Sequence, residues 1–238
     1  MKAPRPISES IGDYLKAIYE FTEGTGRAST AALAKRLKIA PASVTEMLQK
    51  LASSRPAWVV YEKHRGASLT PAGRRRALEL VRHHRLLESF LHESLGYAWD
   101  EVHAEAERLE HAISERMEDR IAERLGDPQT DPHGHPIPRK DGRMPKREDA
   151  PLAGKAAGST LVVTTVPDAD PQLLRRLGDM AIRPGAGISV LKNALEESHL
   201  EVRVGDQPGT VRLERSIAKE VTVLENRRET RSGAGPAS

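Results

Sequence analysis

Residues 103 to 111 read His-Ala-Glu-Ala-Glu-Arg-Leu-Glu-His. If this stretch is helical, His103, Glu107, Glu110 and His111 fall within an arc of about 100°, beside the apolar stripe rather than opposite it. Carboxylates and imidazoles at i, i+3 and i+4 converge on one ion, and nitrogen–oxygen sets suit first-row divalent metals. Upstream, His84 lies close to the apolar row of Leu80, Leu87 and Leu91, with Glu88 one turn on. It therefore faces a partner helix, and His103 brought against it would assemble a second donor set. Each residue also has an ordinary reading. Glu107 and His111 suit an exposed i, i+4 pair, His84 suits a core histidine satisfied by a carbonyl, and Ser10 to Asp13 fits a capping box. What favours metal is the concentration of candidates on two helices expected to touch. The 238 residues include no cysteine, which excludes disulfides, thiolate zinc sites and iron–sulfur clusters.

The elements that must carry these residues follow from periodicity. Ile11, Leu15, Ile18, Tyr19 and Thr22 recur at helical spacing, predicting a first helix over 10–22. Ser29 or Thr30 caps a second helix through Leu37. Pro41 opens a third, with Val44, Met47, Leu48 and Leu51 as its apolar stripe. The runs 58–61 and 67–70 flank a Lys-His-Arg-Gly turn and predict a hairpin. Helix, helix, short turn, helix and hairpin is the winged helix-turn-helix order. Thr70 and Pro71 start a long helix to about Leu95, and a second is expected from about Asp100 to Leu125. Surplus apolar surface on this pair would favour a two-fold dimer. Residues 126–158, rich in Pro, Gly, Asp and Lys, read as a linker. From Thr160 several short β-prone runs, with a helical piece near 171–178, suggest a small SH3-like barrel.

The fold class is thus mainly α with small β parts. The expected domains are 1–74 for DNA binding, 75–140 for the helical metal-binding and dimerisation part, 141–158 for the linker, 159–226 for the barrel and 227–238 for a disordered tail. Charge follows this division. Residues 1–76 hold 14 Lys or Arg against 6 Asp or Glu, a net of +8, whereas 77–125 hold 6 against 12 and five of the nine histidines. A basic head points to nucleic acid. No run approaches the roughly 20 apolar residues of a membrane helix, and the start lacks a signal-peptide core, so a cytoplasmic protein without membrane contact is expected.

The segments 13–20 (Asp-Tyr-Leu-Lys-Ala-Ile-Tyr-Glu), 40–51, 61–66, 84–88 (His-Arg-Leu-Leu-Glu) and 102–111 resemble the metal-dependent repressors of the diphtheria toxin repressor and manganese transport regulator family. The likeness covers most of residues 8–138, including the Asp-Pro-His-Gly-His-Pro-Ile-Pro stretch. It extends more faintly to 179–185 in an SH3-like domain. The resemblance implies a primary metal site of Asp13, Glu107, Glu110 and His111, and an ancillary site of His84, Glu88 and His103. In the iron-responsive branch the SH3-like domain adds a Glu and a Gln, for which Asp170 and Gln172 are the nearest matches. Carboxylates at Asp13 and Glu107 follow the manganese branch, but Lys16 stands where that branch has a further Glu. Mn²⁺ is expected first and Fe²⁺ second, with Zn²⁺, Co²⁺ and Cd²⁺ binding in vitro.

In this reading one ion ties the first helix of the head to the dimer helices, whose carboxylates repel one another without it. A homodimer would then set both recognition helices into successive major grooves of a palindromic duplex operator. Pro41, Ala42, Ser43, Thr45, Glu46, Gln49 and Lys50 are exposed by spacing on the recognition helix, the early ones towards base edges. Lys63, His64 and Arg65 at the hairpin tip, with Arg27, Lys35 and Arg36, are the expected phosphate contacts. The function implied is metal-dependent transcriptional regulation, with repression of metal uptake the expectation. Two rivals are a metal-independent winged-helix repressor and a His/Glu metalloenzyme. Glu-Arg-Leu-Glu-His at 107–111 comes within one residue of a zinc protease pattern, but the leading His is missing, and no nucleophile elbow or phosphate-binding loop appears.

Overall fold

The computed structural model describes residues 8–194 and 196–226. The expected disordered tail, together with Lys2 and Arg5, lies outside them. The chain divides into two compact units. The first comprises the chain up to Leu87 with Glu107–Arg124 and Ile137–Met144; the second comprises Glu88–Ala106, Leu125–Pro136 and the chain from Pro145.

The first unit opens with α1 (Glu9–Thr25), which Gly26 ends in the left-handed region, its N–H donating to Thr22 O. In α2 (Thr30–Leu37) the Ser29 side chain accepts from Ala32 N. Pro41 supplies the first turn of α3 (Pro41–Ser53), where a missing N–H costs nothing. Strands β1 (Val59–Glu62) and β2 (Gly66–Leu69) pair antiparallel as the wing. Gly66, at φ +88°, lies so close to Ala28 that an added Cβ would stand 2.3 Å from the Ala28 carbonyl oxygen. That approach lets Ala28 and Ala67 exchange backbone bonds of 2.8 and 2.9 Å, joining the wing to the chain ahead of α2. Leu15, Ile18, Tyr19, Leu33, Val44, Leu48, Leu51 and Val59 close one core beneath these elements, each apolar side chain worth about 1.5–3 kcal/mol on burial.

Thr70 caps α4 (Pro71–Leu95), its hydroxyl accepting from Gly73 N at 3.1 Å. The single helix expected to about Leu125 is two: α5 (Val102–Leu109) and α6 (Glu115–Arg124). Ser114 causes the break. Its hydroxyl accepts from Met117 N and its carbonyl from Glu118 N, starting a fresh helix.

In the second unit, β3 (Ala150–Pro151), β4 (Thr160–Thr165), β5 (Gly187–Lys192), β6 (His199–Val204), β7 (Val211–Glu214) and β8 (Thr222–Glu225) form a six-stranded antiparallel sheet in the order β3-β8-β4-β5-β6-β7. Helices α7 (Pro171–Asp179) and α8 (Arg215–Glu220) complete it. Its core includes Leu161, Val163, Leu174, Val202, Val223 and Leu152. Residues 126–158 correct the linker reading, since Asp131, His133, Ile137 and Leu152 are all buried and β3 pairs with β8. No helix among the described residues is long and apolar enough to cross a membrane.

Candidate metal centres and DNA-reading surface

In the first unit, α1 and the turn after α5 bring Asp13, Glu110 and His111 together as a group able to hold a metal ion. His111 Nε2 donates to Asp13 Oδ1 at 2.9 Å. That bond, against the opposing pull of burial, raises the His111 pKa. Asp13 is therefore engaged across the chain and does not close the capping box suggested by Ser10. A glycine makes the approach possible: a Cβ on Gly12 would stand 2.7 Å from His111 Cε1 and 2.8 Å from Leu80 Cδ1.

Glu110 is almost fully buried, which by itself raises a carboxyl pKa, yet its pKa is lowered. The first reason is His84, whose Nδ1 donates to Glu110 Oε2 at 2.5 Å; the second is Lys16, whose Nζ donates to the same oxygen at 2.7 Å. Lys16 Nζ also lies 3.1 Å from His84 Nδ1. Glu107 lines the same cleft but turns outward, with Oε1 3.7 Å from Arg36 Nη2. Each of these carboxylates has a basic side chain beside it, which offsets the mutual repulsion expected of them.

His83, the neighbour of His84, backs this site. Its Nδ1 donates to the Glu110 carbonyl at 3.1 Å and its Nε2 to Glu118 Oε2 at 3.0 Å. Burial disfavours its charge, but the bond to Glu118 prevails and its pKa is raised.

The second unit holds a cluster that sequence reasoning saw only in part. His103 Nδ1 lies 3.1 Å from Glu88 Oε1, as expected of an ancillary pair. Of the two residues expected from the SH3-like part, Asp170 is not among the donor groups. The Asp170 carboxylate instead caps α7, accepting from Gln172 N and Leu173 N. Asp168, two residues earlier, is the carboxylate that arrives, 3.7 Å from His103 Nδ1 and 3.4 Å from His135 Nδ1. Asp131, His133 and His135 form one further donor group, and Glu88, His133 and Asp168 another. Gly134 permits this loop, for it sits at φ +88° and a Cβ there would lie 1.9 Å from Thr164 O. His84 stands one helical turn before Glu88 on α4, but its Nδ1 belongs to the first cluster.

His133 is fully buried, and its Nε2 donates to Trp99 O at 2.7 Å. Its Nδ1 has no hydrogen-bond partner and lies 3.7 Å from Glu88 Oε1. Burial lowers the pKa of such an imidazole, but Glu88 outweighs it and, with Asp131 and Asp168, pushes the value up to about 9. A buried nitrogen facing the Glu88 carboxylate, on a ring whose other N–H is fixed by a carbonyl, has the arrangement of a metal ligand with its outer support. The sequence signal was the Asp-x-His-x-His run at 131–135, a short His-rich tract. Asp168 carried no local signal.

On α3, Pro41, Ala42, Ser43, Glu46, Gln49 and Lys50 are exposed and Thr45 is half-buried. Thr45 Oγ1 donates to Pro41 O, and Ser43 O accepts from Tyr14 at 3.5 Å. Lys63, His64 and Arg65 are exposed at the wing tip and Lys35 on α2. Arg27 pairs with Glu62 at 2.5 Å, and Arg36 bonds Glu20 at 3.1 Å, so both arginines are engaged within the protein.

A winged helix whose first helix shares a metal-competent cleft with the helices that follow it defines a metal-responsive DNA-binding regulator. Comparison with known proteins makes this specific. Residues 6–67 match the model of the iron dependent repressor N-terminal DNA binding domain, 70–139 that of the iron dependent repressor metal binding and dimerisation domain, and 150–225 the FeoA domain. The HTH-type transcriptional regulator MntR of Geobacillus kaustophilus (strain HTA426) is 40% identical over 101 residues, which is 42% of this chain and 70% of that protein. A solved manganese-dependent transcriptional repressor in complex with manganese is 39% identical, with TM-score 0.84 over 91% of this chain and 100% of that one. ScaR with bound Zn²⁺ is 30% identical, with TM-score 0.78 over 91% and 99%.

The chain belongs to the iron-dependent repressor family. It is a metal-dependent DNA-binding transcriptional regulator and not an enzyme, and its partners are DNA and a second copy of itself.

Proposed function

We propose that this regulator responds to Mn²⁺ first and Fe²⁺ second, and that it represses metal-uptake genes from a palindromic operator in the cytoplasm. The carrying observation is the His111–Asp13 bond of 2.9 Å, since Asp13 belongs to the DNA-binding head and His111 to the metal-binding and dimerisation domain. Asp13, Glu107, Glu110 and His111 would hold the primary ion. A bound divalent cation supplies the charge that gathers these four donors. Asp13 would then fix α1, and through the shared core α3, relative to Glu110 and His111. Oxygen-rich donors suit Mn²⁺ and Fe²⁺, and Zn²⁺, Co²⁺ and Cd²⁺ bind in vitro.

Glu88, His133 and Asp168 would hold a second ion, with His103 and His135 beside Asp168, which takes the part expected of Asp170 and Gln172. The buried, unpartnered His133 Nδ1 supports it. The divisions near residues 74 and 140 remain the reading of the domain order. The phosphate contacts assigned are Lys35, Lys63 and Arg65, with Lys50 at the end of α3.

The test is operator binding with Mn²⁺ titrated in. Glu110→Ala and His111→Ala should each lose the Mn²⁺-dependent gain in specific affinity while keeping weak, salt-sensitive binding. Undiminished specific binding by both variants in Mn²⁺ overturns the reading.

A further inference from the structure

We propose that Lys16 and Arg36 are tethered competitors of the metal ion at the primary cleft, an inference that rests on reading Asp13, Glu107, Glu110 and His111 as its donors. Both belong to the DNA-binding head, Lys16 on α1 and Arg36 in the last turn of α2, and both line the cleft. Lys16 is only 7% exposed, a burial that lysine tolerates only when paired. Its ammonium and His84 both occupy Glu110 Oε2. Arg36 reaches the other candidate ligand, with Nη2 3.7 Å from Glu107 Oε1, while its Nε holds Glu20.

Cations must therefore be displaced from, or share, the oxygens that a metal would use. The affinity of the cleft is the difference between coordination and the ion pairs given up. The metal concentration at which the protein responds is then set by two residues that are not ligands. Lys16 holds the deep carboxylate and Arg36 the shallow one, so the two act on different donors.

Arg36 gives the cleaner test, because its pair is part-exposed at 37% and 44% and an exposed pair adds little to stability. Mn²⁺ is titrated calorimetrically into the full-length chain in a His133→Ala background, and the part of the isotherm that His111→Ala removes is the primary cleft's. Arg36→Gln should bind Mn²⁺ about three- to tenfold more tightly, because a unit charge near a divalent ion is removed at partly solvated range. Arg36→Lys should stay close to the parent, since charge and not shape competes. Unchanged or weaker binding by Arg36→Gln overturns the competition at Glu107. Lys16→Met should also tighten Mn²⁺ binding while lowering the melting temperature of the metal-free chain; a lower melting temperature with unchanged Mn²⁺ affinity overturns the part given to Lys16. The underlying site is checked separately by His111→Ala. If that variant keeps the parent isotherm, the site reading fails; if it abolishes binding while Arg36→Gln matches the parent, only the competition fails.

Discussion

His133 shows how one atom's surroundings fix a chemical role. Trp99 O accepts from Nε2, so the proton that can leave is the one on Nδ1, which faces Glu88. With a pKa near 9, the ring is charged at neutral pH without metal. Coordination must expel that proton, so Mn²⁺ affinity at this cluster should rise with pH from about 7 to 9, by up to about tenfold per unit for one proton released. The metal-free fold responds in the opposite sense. A histidine with a raised pKa gives stability that is complete below its unfolded value near 6.5 and is lost as pH climbs through about 9. Melting temperature against pH, with and without Mn²⁺, checks both signs. His133→Ala should flatten the metal-free curve, and a curve of unchanged slope would show that the imidazolium is not what the carboxylates stabilise.

At the scale of elements, what was legible in the sequence was what local chemistry decides. The pair Ser29 or Thr30, of which Ser29 is the cap, together with Pro41 and Thr70 placed three helix starts, because capping hydroxyls and a first-turn proline act on their own segment. The stretch from Asp100 to Leu125 misled because its apolar residues keep helical phase across Ser114, and only the cap taken up by that serine divides it. The 126–158 stretch misled for a different reason. Its Pro and Gly content mimics a solvated linker, whereas Asp131 and His133 are buried by polar partners that periodicity does not register. The spacing of Glu107, Glu110 and His111 was readable, although the last two lie in the turn after α5 and His103 joins the other cluster, but Asp168 and the engagement of Lys16 arise from distant segments. Gly12 belongs to the same class. Alanine normally stabilises a helix by about 1 kcal/mol over glycine, yet here its Cβ would press on His111 and Leu80. Gly12→Ala should weaken Mn²⁺ binding at the primary cleft severalfold with no gain in melting temperature. A stabilised variant with parental Mn²⁺ affinity would mean that α1 yields freely at that contact.

For the whole molecule, the count of 14 Lys and Arg on the head overstates the cations available to DNA. Arg27 is paired with Glu62, and Arg36 with Glu20 and Glu107. The exposed cations on α2, α3 and the wing that remain assigned to phosphates are Lys35, Lys50, Lys63 and Arg65, four on each protomer; Arg65 also bonds Glu62 at 3.3 Å, but its side chain is 77% exposed against 36% for Arg27. Each phosphate neutralised releases condensed counterions, so the slope of log affinity against log salt counts the cations engaged. Eight contacts from a dimer give a slope of about −7, whereas adding Arg27 and Arg36 from both protomers gives about −11. With Mn²⁺ saturating, the measured slope should fall near the smaller magnitude. Lys63→Ala should reduce it by about two per dimer and weaken specific and non-specific duplexes alike, as expected of a backbone contact. A slope near the larger value in the parent, returning to the smaller one in Arg36→Gln and Arg27→Gln, would place those arginines on the DNA backbone in the metal-bound state and make their present partners a feature of the metal-free form alone.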